Sequence, residues 1–111
     1  MFNLSPATRV FLAVEPTDMR QSFNGLHARV QTVLGEDPLS GHLFVFVNRR
    51  RNRLKLLFFD GSGLWVCAKR LERSRFSWPT GEGACKQLRP EQLTALLTGL
   101  EVSEKAGWYR R

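Results

Sequence analysis

The side chains best suited to binding a charged ligand stand in "VNRRRNRLKLLFFDG", residues 47–61. Four of the five residues from Arg49 to Arg53 are arginines. Each guanidinium group can donate two parallel hydrogen bonds to the oxygens of one phosphate. From Arg49 to Arg75 the chain carries nine basic residues against two acids, Asp60 and Glu72. The basic residues are Arg49, Arg50, Arg51, Arg53, Lys55, Lys69, Arg70, Arg73 and Arg75. This pattern favours a nucleic-acid partner, and the competing interpretation is a solvated turn between two strands.

The charge of the whole chain points the same way. Its 111 residues have a net charge of +7, which attracts polyanions through long-range attraction and counterion release. The length predicts a single domain over 1–111, and 42% hydrophobic residues suit an ordinary folded core. No apolar run reaches the roughly 18 residues of a membrane span, and the N-terminus does not resemble a signal peptide. We therefore expect a cytoplasmic protein with no membrane partner.

Residues for catalysis or metal binding are few. Two-metal phosphoryl chemistry needs several converging carboxylates, and the three aspartates are widely spaced. Neither the two cysteines nor the two histidines have zinc-site spacing, so we expect free thiols, no metal and no cofactor. The sequence predicts a protein that is not an enzyme. A small ribonuclease using arginines for charge stabilisation stays open, supported only by the basic residues.

Two helices frame the elements that position the arginines. An apolar strand at 9–14 precedes a helix that Thr17 would cap, with Asp18 in its first turn and Gly35 as its stop. The stripe Met19, Phe23, Leu26, Val30 and Val33 is predicted to face the core. Gly25 within it is expected to allow close packing against the sheet. A second, short helix is predicted at 89–100, with Pro90 in its first turn.

Between the helices, the apolar runs alternate with turns. Residues 42–47, 53–60 and 64–71 are predicted strands, joined by the basic tip and by a hairpin turn at Asp60–Gly63. Residues 72–79 either continue the third strand or begin a fourth, and 85–88 form a short edge strand. The predicted fold is α+β: an antiparallel β-meander of about four to six strands, with an N-terminal helix packed on it and a short C-terminal helix. The tail 101–111 is expected to be loosely ordered.

The meander would bring Lys69, Arg70 and Arg73 to the same end of the sheet as the arginine tip. Aromatic residues interleave with these charges and either stack on unpaired bases or belong to the core. Asp18 and Arg20 form either an acid–base pair at a site or a helix cap with a local ion pair.

Four blocks of the chain together carry a family resemblance. These are "DMRQSFNGL" at 18–26, "SGHLFVFVNRR" at 40–50, "KLLFFDGSGLWVCAKRLERSRFSWP" at 55–79 and "QLTALLTGL" at 92–100. Together they resemble the TnpB accessory proteins encoded by the second open reading frame of insertion-sequence-66 elements, over about residues 5–100. Motif residues outside the basic set are Asp18, Arg20, Gly25, Asp60, Gly63, Glu72 and Trp78.

The resemblance implies a role in transposition beside a separate, larger transposase, and it assigns no catalytic residue. One hypothesis is a basic factor that holds element-end DNA by its phosphates. The alternative is an adaptor that contacts the transposase without touching DNA, anchored by Trp65, Trp78 or Trp108. The sequence leaves DNA, RNA and protein open as the direct partner, and it does not fix the oligomeric state.

Overall fold

The computed structural model describes residues 6–99, and for residues 101–103 and 108–110 the course of the backbone. Its strands and helices follow one another along the chain as β1 Val10–Ala13, α1 Phe23–Thr32, β2 Leu43–Val47, β3 Arg53–Phe59, β4 Leu64–Arg70, β5 Cys85–Leu88, α2 Pro90–Leu97, β6 Glu101–Ser103 and β7 Trp108–Arg110. The predicted α+β class, the N-terminal helix and the short C-terminal helix are confirmed.

A five-stranded sheet in the order β4-β3-β2-β1-β5 forms the centre of the fold. The meander β2-β3-β4 is antiparallel as predicted, but β1 pairs in parallel with β2, so the sheet is mixed. The reason is the helix between β1 and β2, which carries the chain back to the starting end of the sheet. That strand–helix–strand order was visible in the sequence and is itself the signal for parallel pairing.

Both faces of the sheet are covered, which explains why β2 is an unbroken apolar run. One face carries α1, whose Leu26 and Val30 pack among Phe44, Phe46 and Leu57. The other face carries α2, whose Leu93 and Leu96 pack among strand residues that include Leu54 and Leu56. Alternation along β3 therefore sends even-numbered side chains towards α2 and odd-numbered side chains, from Arg53 to Phe59, towards α1.

Helix α1 begins later than the sequence predicted. Ser22, not Thr17, precedes its first residue, and Phe23 is 48% exposed rather than part of the core. The later start leaves Leu26 and Val30 as the buried residues of the helix, with Leu34 beyond its end continuing the same i, i+4 spacing. The predicted stop is confirmed, because Gly35 adopts the left-handed conformation with φ 65°.

The segment 71–84 crosses the sheet on the face that carries α2, without forming a strand. Phe76 and Trp78 are buried there at 1% and 6% exposure, and the Trp78 indole Nε1 donates to the Ala13 carbonyl at 2.9 Å. These two aromatic residues therefore belong to the core. Trp78 is too buried to serve as the exposed interface anchor considered from the sequence.

The expected edge strand at 85–88 is confirmed as β5, which pairs with β1. In the tail, β6 and β7 pair with each other in a separate two-stranded sheet, and the side chain of Trp108 lies outside the described residues. The predicted loose order of the tail and the single-domain boundary stay predictions. No helix in the described part of the chain has the length and apolar character needed to cross a membrane.

Candidate nucleic-acid interface

The arginine tip is a tight, side-chain-braced turn between β2 and β3. The Oδ1 atom of Asn48 accepts the backbone N–H groups of Asn52 and Arg53 at 3.0 and 3.1 Å, while its Nδ2 donates to Asn52 Oδ1 at 2.8 Å. Local side-chain bonds of this kind replace the backbone ladder where the chain reverses. The three arginines between the two asparagines are therefore held on a defined backbone.

This turn is also tied to the crossing segment. Phe76 N–H donates to the Arg51 carbonyl at 2.7 Å, and Leu71 N–H donates to the Asn52 carbonyl at 2.8 Å. Arg51 takes the left-handed conformation, with φ 60°, which is costly for a residue with a Cβ. The predicted convergence of the arginine tip with the end of β4 is therefore confirmed.

The chain between β1 and α1 faces the arginine tip across the end of the sheet. Thr17 N–H donates to the Val47 carbonyl at 2.8 Å, and Lys55 Nζ donates to the Gln21 carbonyl at 2.8 Å. Gly25 allows Gln21 to lie close, since a Cβ at Gly25 would stand 3.1 Å from the Gln21 Cβ. Gly25 thus makes room for Gln21 and not, as predicted, for the sheet.

Asp18 and Arg20 form a local ion pair outside any helix. Arg20 donates from its backbone N–H, Nε and NH2 to the Asp18 carboxylate at 2.7 to 3.1 Å. The side-chain bonds from Arg20 lower the pKa of Asp18 to about 2. Of the interpretation as a helix cap with a local ion pair, the ion pair is confirmed and the cap is wrong, because α1 begins at Phe23. The alternative, an acid–base pair at a site, stays a prediction. The pair fixes one edge of the Arg20 guanidinium and sets its direction.

An open cleft of about 680 Å³ lies between the arginine tip and the chain that joins β1 to α1, and we call it the basic cleft. These two segments form its two walls. Its charged lining consists of four arginines and one aspartate: Asp18, Arg20, Arg49, Arg50 and Arg53. Thr17 also lines it and is 3% exposed, with a hydroxyl that has no hydrogen-bond partner among the described residues. An excess of guanidinium groups in a concave site suits a multiply charged anion.

A second hollow of about 380 Å³ adjoins the basic cleft, since Met19 and Arg53 line both. It lies over the ends of β3 and β4, where Arg53 and Arg70 are direct cross-strand partners. Both side chains stand on the face that carries α1, by the same alternation that places Leu57 there. Arg70 is partly neutralised by Glu72, whose carboxylate accepts its Nε at 2.9 Å.

The remaining predicted binding residues differ in their surroundings. Lys69 points to the opposite face, where its Nζ donates to the Leu97 carbonyl at the end of α2, and Lys55 is engaged with Gln21. Arg73 and Arg75 are exposed on the crossing segment and line neither hollow. The structure therefore brings together only part of the predicted set in the basic cleft: Arg49, Arg50 and Arg53, joined by Arg20.

The other end of β3 and β4 is an aromatic hairpin braced by Asp60. The Asp60 carboxylate accepts the backbone N–H groups of Ser62 and Gly63 and, at 2.7 Å, the indole N–H of Trp65. These bonds, led by the one from Trp65, hold the pKa of Asp60 well below its usual range. The predicted role of Asp60 in this turn is confirmed. Trp65 is 53% exposed and stacks on Phe58, with 6.2 Å between ring centroids.

Sequence reasoning missed three residues of the basic cleft. Asn48 and Asn52 bracket the arginines at a spacing of four, which was a readable turn signal. Thr17 was read as a helix cap, whereas its backbone is bonded to the end of β2. Its buried position had no local sequence signal, because it depends on how the chain after β1 returns over the sheet.

Comparison with known proteins agrees with the sequence motifs. Residues 8–107 match the family described as "IS66 Orf2 like protein". Two proteins of Sinorhizobium fredii (strain NBRC 101917 / NGR234) are similar in sequence. "Uncharacterized protein y4hO" is 46% identical over 93 residues, covering 84% of this chain and 81% of the relative. "Uncharacterized protein y4jC" is 36% identical over 101 residues, covering 91% and 86%.

No solved structure matches the chain. The family match spans both walls of the basic cleft, all five strands of the central sheet and both helices. The family match covers residues 8–107, and the two relatives are similar over most of their length. The chain therefore belongs to the TnpB family of IS66 Orf2-like proteins, which are accessory proteins of insertion sequences.

Proposed function

We propose that this protein is a non-catalytic DNA-binding factor that assists a separate transposase at the ends of the insertion sequence, in the cytoplasm. The contact surface is the basic cleft, with Arg20, Arg49, Arg50 and Arg53 directed at backbone phosphates. Arg70 extends this surface along the end of the sheet. Binding of this kind positions the protein on DNA without reading the base sequence.

The observation that carries the proposal is the concentration of arginines on two facing walls. Arg20 comes from the chain before α1. Arg49 and Arg50 come from the turn after β2, and Arg53 from the start of β3, more than 25 residues later in the chain. Among the described residues that line the cleft, only Asp18 offsets them, and it is engaged with Arg20. Bringing like charges together costs free energy that a bound polyanion recovers.

The nature of the lining favours phosphates over bases. Proteins that hold unpaired strands combine a basic groove with aromatic side chains on which bases stack. Among the residues that the structure describes, no aromatic residue lines the basic cleft, while Phe76 and Trp78 are buried and Trp65 lies at the far end of β4. Stacking on unpaired bases therefore has little support, and contact with the backbone of a duplex has more.

A salt titration of duplex binding tests the proposal. Arg50→Gln removes a cleft arginine, and Arg9→Gln removes the same charge from the residue before β1, at the opposite end of the sheet. For a duplex carrying the element end, we expect Arg50→Gln to reduce the slope of log K against log salt by about one. Arg9→Gln should leave that slope nearly unchanged.

A triple substitution gives the sharper result. If Arg49, Arg50 and Arg53 are all changed to glutamine, duplex affinity at low salt should fall by about a hundredfold or more, since each phosphate contact contributes to the counterion release. Wild-type affinity in this variant would overturn the proposal. Equal losses for Arg50→Gln and Arg9→Gln would show that net charge, and not the cleft, attracts DNA.

A further inference from the structure

One edge of the central sheet is long, regular and open. Strand β4 has seven residues and lies at the end of the strand order, with β3 as its only partner in the described part of the chain. Its pairing with β3 runs without interruption from Phe59 with Leu64 to Arg53 with Arg70. The described strands of the tail pair with each other and not with β4.

Two hydrogen bonds fix which backbone groups of β4 face the open edge. Asp60 N–H donates to the Gly63 carbonyl, and Leu71 N–H donates to the Asn52 carbonyl, at the two ends of the same ladder. Hydrogen-bonded and non-hydrogen-bonded pairs alternate in an antiparallel ladder, so the odd-numbered residues of β4 bond to β3. The N–H and C=O groups of its even-numbered residues point outward: Leu64, Val66, Ala68 and Arg70.

Strand β4 lacks most of the devices that keep sheet edges from pairing. It contains no proline and no bulge, and it is nearly twice as long as β5, the four-residue strand at the opposite edge. Lys69 and Arg70 are its only charged residues, both at one end. Natural proteins block or cover exposed edges of this length. An edge left regular over seven residues is therefore suited to accept another strand.

We propose that β4 binds an extended, acidic segment of another protein, which adds a sixth strand to the sheet. The charges of the edge select this occupant. Lys69, Arg70 and the neighbouring Arg53 form a cationic end that Glu72 offsets only in part. Towards the hairpin the same edge contains the partly buried Leu64 and Val66 and the half-exposed Trp65. The fitting segment is acidic in one half and apolar in the other.

The same charges disfavour a second copy of the chain as occupant. Each chain has a net charge of +7, and β4 has two cations and no acid. Pairing two β4 strands would bring two strongly basic proteins together without a compensating carboxylate from either strand. An acidic segment supplies those carboxylates. Arg53 and Arg70 also belong to the proposed DNA-binding surface. The inference nevertheless does not require DNA binding, because the added strand is held by backbone bonds along β4 and its carboxylates face the cationic end of that strand.

The experiment uses the full chain and two fluorescein-labelled heptapeptides with blocked ends. Their sequences are Glu-Thr-Asp-Thr-Val-Thr-Ile and its reverse, which allow for parallel and antiparallel addition, and control peptides replace Glu and Asp with Gln and Asn. Fluorescence anisotropy measures binding to wild type, Ala68→Pro and Ala68→Val. Ala68→Pro removes an outward N–H on an exposed edge residue, where proline is tolerated, while Ala68→Val keeps that donor.

We expect at least one acidic peptide to bind wild type ten times more tightly than its neutral control. Ala68→Pro should weaken that binding at least tenfold, and Ala68→Val by less than threefold. Circular dichroism and duplex binding of Ala68→Pro should match wild type, which separates loss of the edge from loss of the fold. Amide exchange at Val66 and Ala68 should slow when the peptide is added.

Three results would overturn the inference. The first is no saturable binding of either acidic peptide. The second is equal affinity for the acidic and neutral peptides, or an equal loss of peptide affinity in Ala68→Pro and Ala68→Val. The third is sedimentation of the free protein as a dimer that Ala68→Pro dissociates, which would make a second copy the occupant of β4. Failure of duplex binding with intact peptide binding would count against the DNA-binding proposal alone.

Discussion

Arg53 and Arg70 lie directly opposite each other on β3 and β4, so two arginine side chains leave the same face of the sheet at the same end. Like charges placed directly across a ladder are destabilising, by roughly 0.2–1 kcal/mol relative to neutral pairs. The Glu72 carboxylate accepts a bond from Arg70 Nε at 2.9 Å and relieves part of this repulsion. Arg53 has no such carboxylate partner in the described part of the chain, and it lines both hollows.

This repulsion predicts opposite effects of Arg53→Gln on stability and on binding. The free energy of unfolding should stay within about 0.5 kcal/mol of wild type or rise slightly, because a like-charge contact is removed. Duplex affinity at low salt should fall several-fold, because a phosphate contact is lost. Urea unfolding and anisotropy titrations measure the two quantities. A drop in both would mean that Arg53 supports the fold and does not serve binding.

The brace within the arginine turn predicts a graded effect of two asparagine substitutions. Asn48→Ala removes the acceptor of two backbone N–H groups and a donor to Asn52, so we expect a loss of about 1–3 kcal/mol in unfolding free energy. Asn52→Ala removes only the side-chain bond to Asn48 and should cost about 0.5–1.5 kcal/mol. Duplex affinity should fall further in Asn48→Ala, since the turn positions the arginines.

Urea unfolding by circular dichroism, with anisotropy titrations of each variant, provides the comparison. Asn48→Asp serves as a control, because it keeps the Oδ1 acceptor and loses the donor. If Asn48→Ala and Asn52→Ala cost the same, the turn is not organised around Asn48.

The position of Lys69 predicts that it behaves differently from the cleft arginines. Its ammonium group bonds to the Leu97 carbonyl, where a cation complements the carbonyl end of α2. Lys69→Gln should lower the unfolding free energy by about 0.3–1 kcal/mol. Its effect on duplex affinity should be smaller than that of Arg50→Gln, although both remove one charge. A larger effect on binding would place the DNA surface on the face that carries α2.

Much of the fold was readable from the chain, because β2, β3 and β4 are regular strands joined by short turns with recognisable residues. Asp60 is an example, since its role in the hairpin follows from sequence position alone. The parallel pairing of β1 with β2 was missed although the strand–helix–strand order in the sequence predicts it. Phe23 was misplaced because the helical stripe was counted from Met19, four residues before α1 begins at Phe23.

The candidate site was predicted in part. The antiparallel meander placed the arginine tip and the end of β4 together, which the structure bears out. Side-chain alternation also determines that neighbours such as Lys69 and Arg70 face opposite sides of the sheet, yet the prediction grouped them by charge and by their end of the sheet. Arg20 was not predicted as a binding residue of this site. The segment that carries it is held against the sheet by long-range hydrogen bonds such as the one from Lys55 to the Gln21 carbonyl, which the sequence does not reveal.

The two carboxylates with lowered pKa predict how stability depends on pH. Asp60 accepts the Trp65 indole and turn N–H groups, and Asp18 accepts the Arg20 guanidinium, which lowers its pKa to about 2. A group whose pKa is lower in the folded state stabilises the fold above its unfolded pKa of about 3.9, and the gain is lost as the pH falls below that value. Stability should therefore decline from about pH 4 towards about pH 2.

Asp60→Asn isolates the part of this decline that belongs to the hairpin. Near pH 7 the variant should be less stable than wild type, because a neutral amide accepts the indole and turn bonds more weakly than a carboxylate. Towards about pH 2 the difference should shrink, since protonation weakens the same bonds in wild type. Urea unfolding across this range measures both curves. Asp18→Asn provides the matching measurement for the ion pair beside the basic cleft. For Asp60→Asn, parallel curves of unfolding free energy against pH would show that the charge of the Asp60 carboxylate does not stabilise the turn.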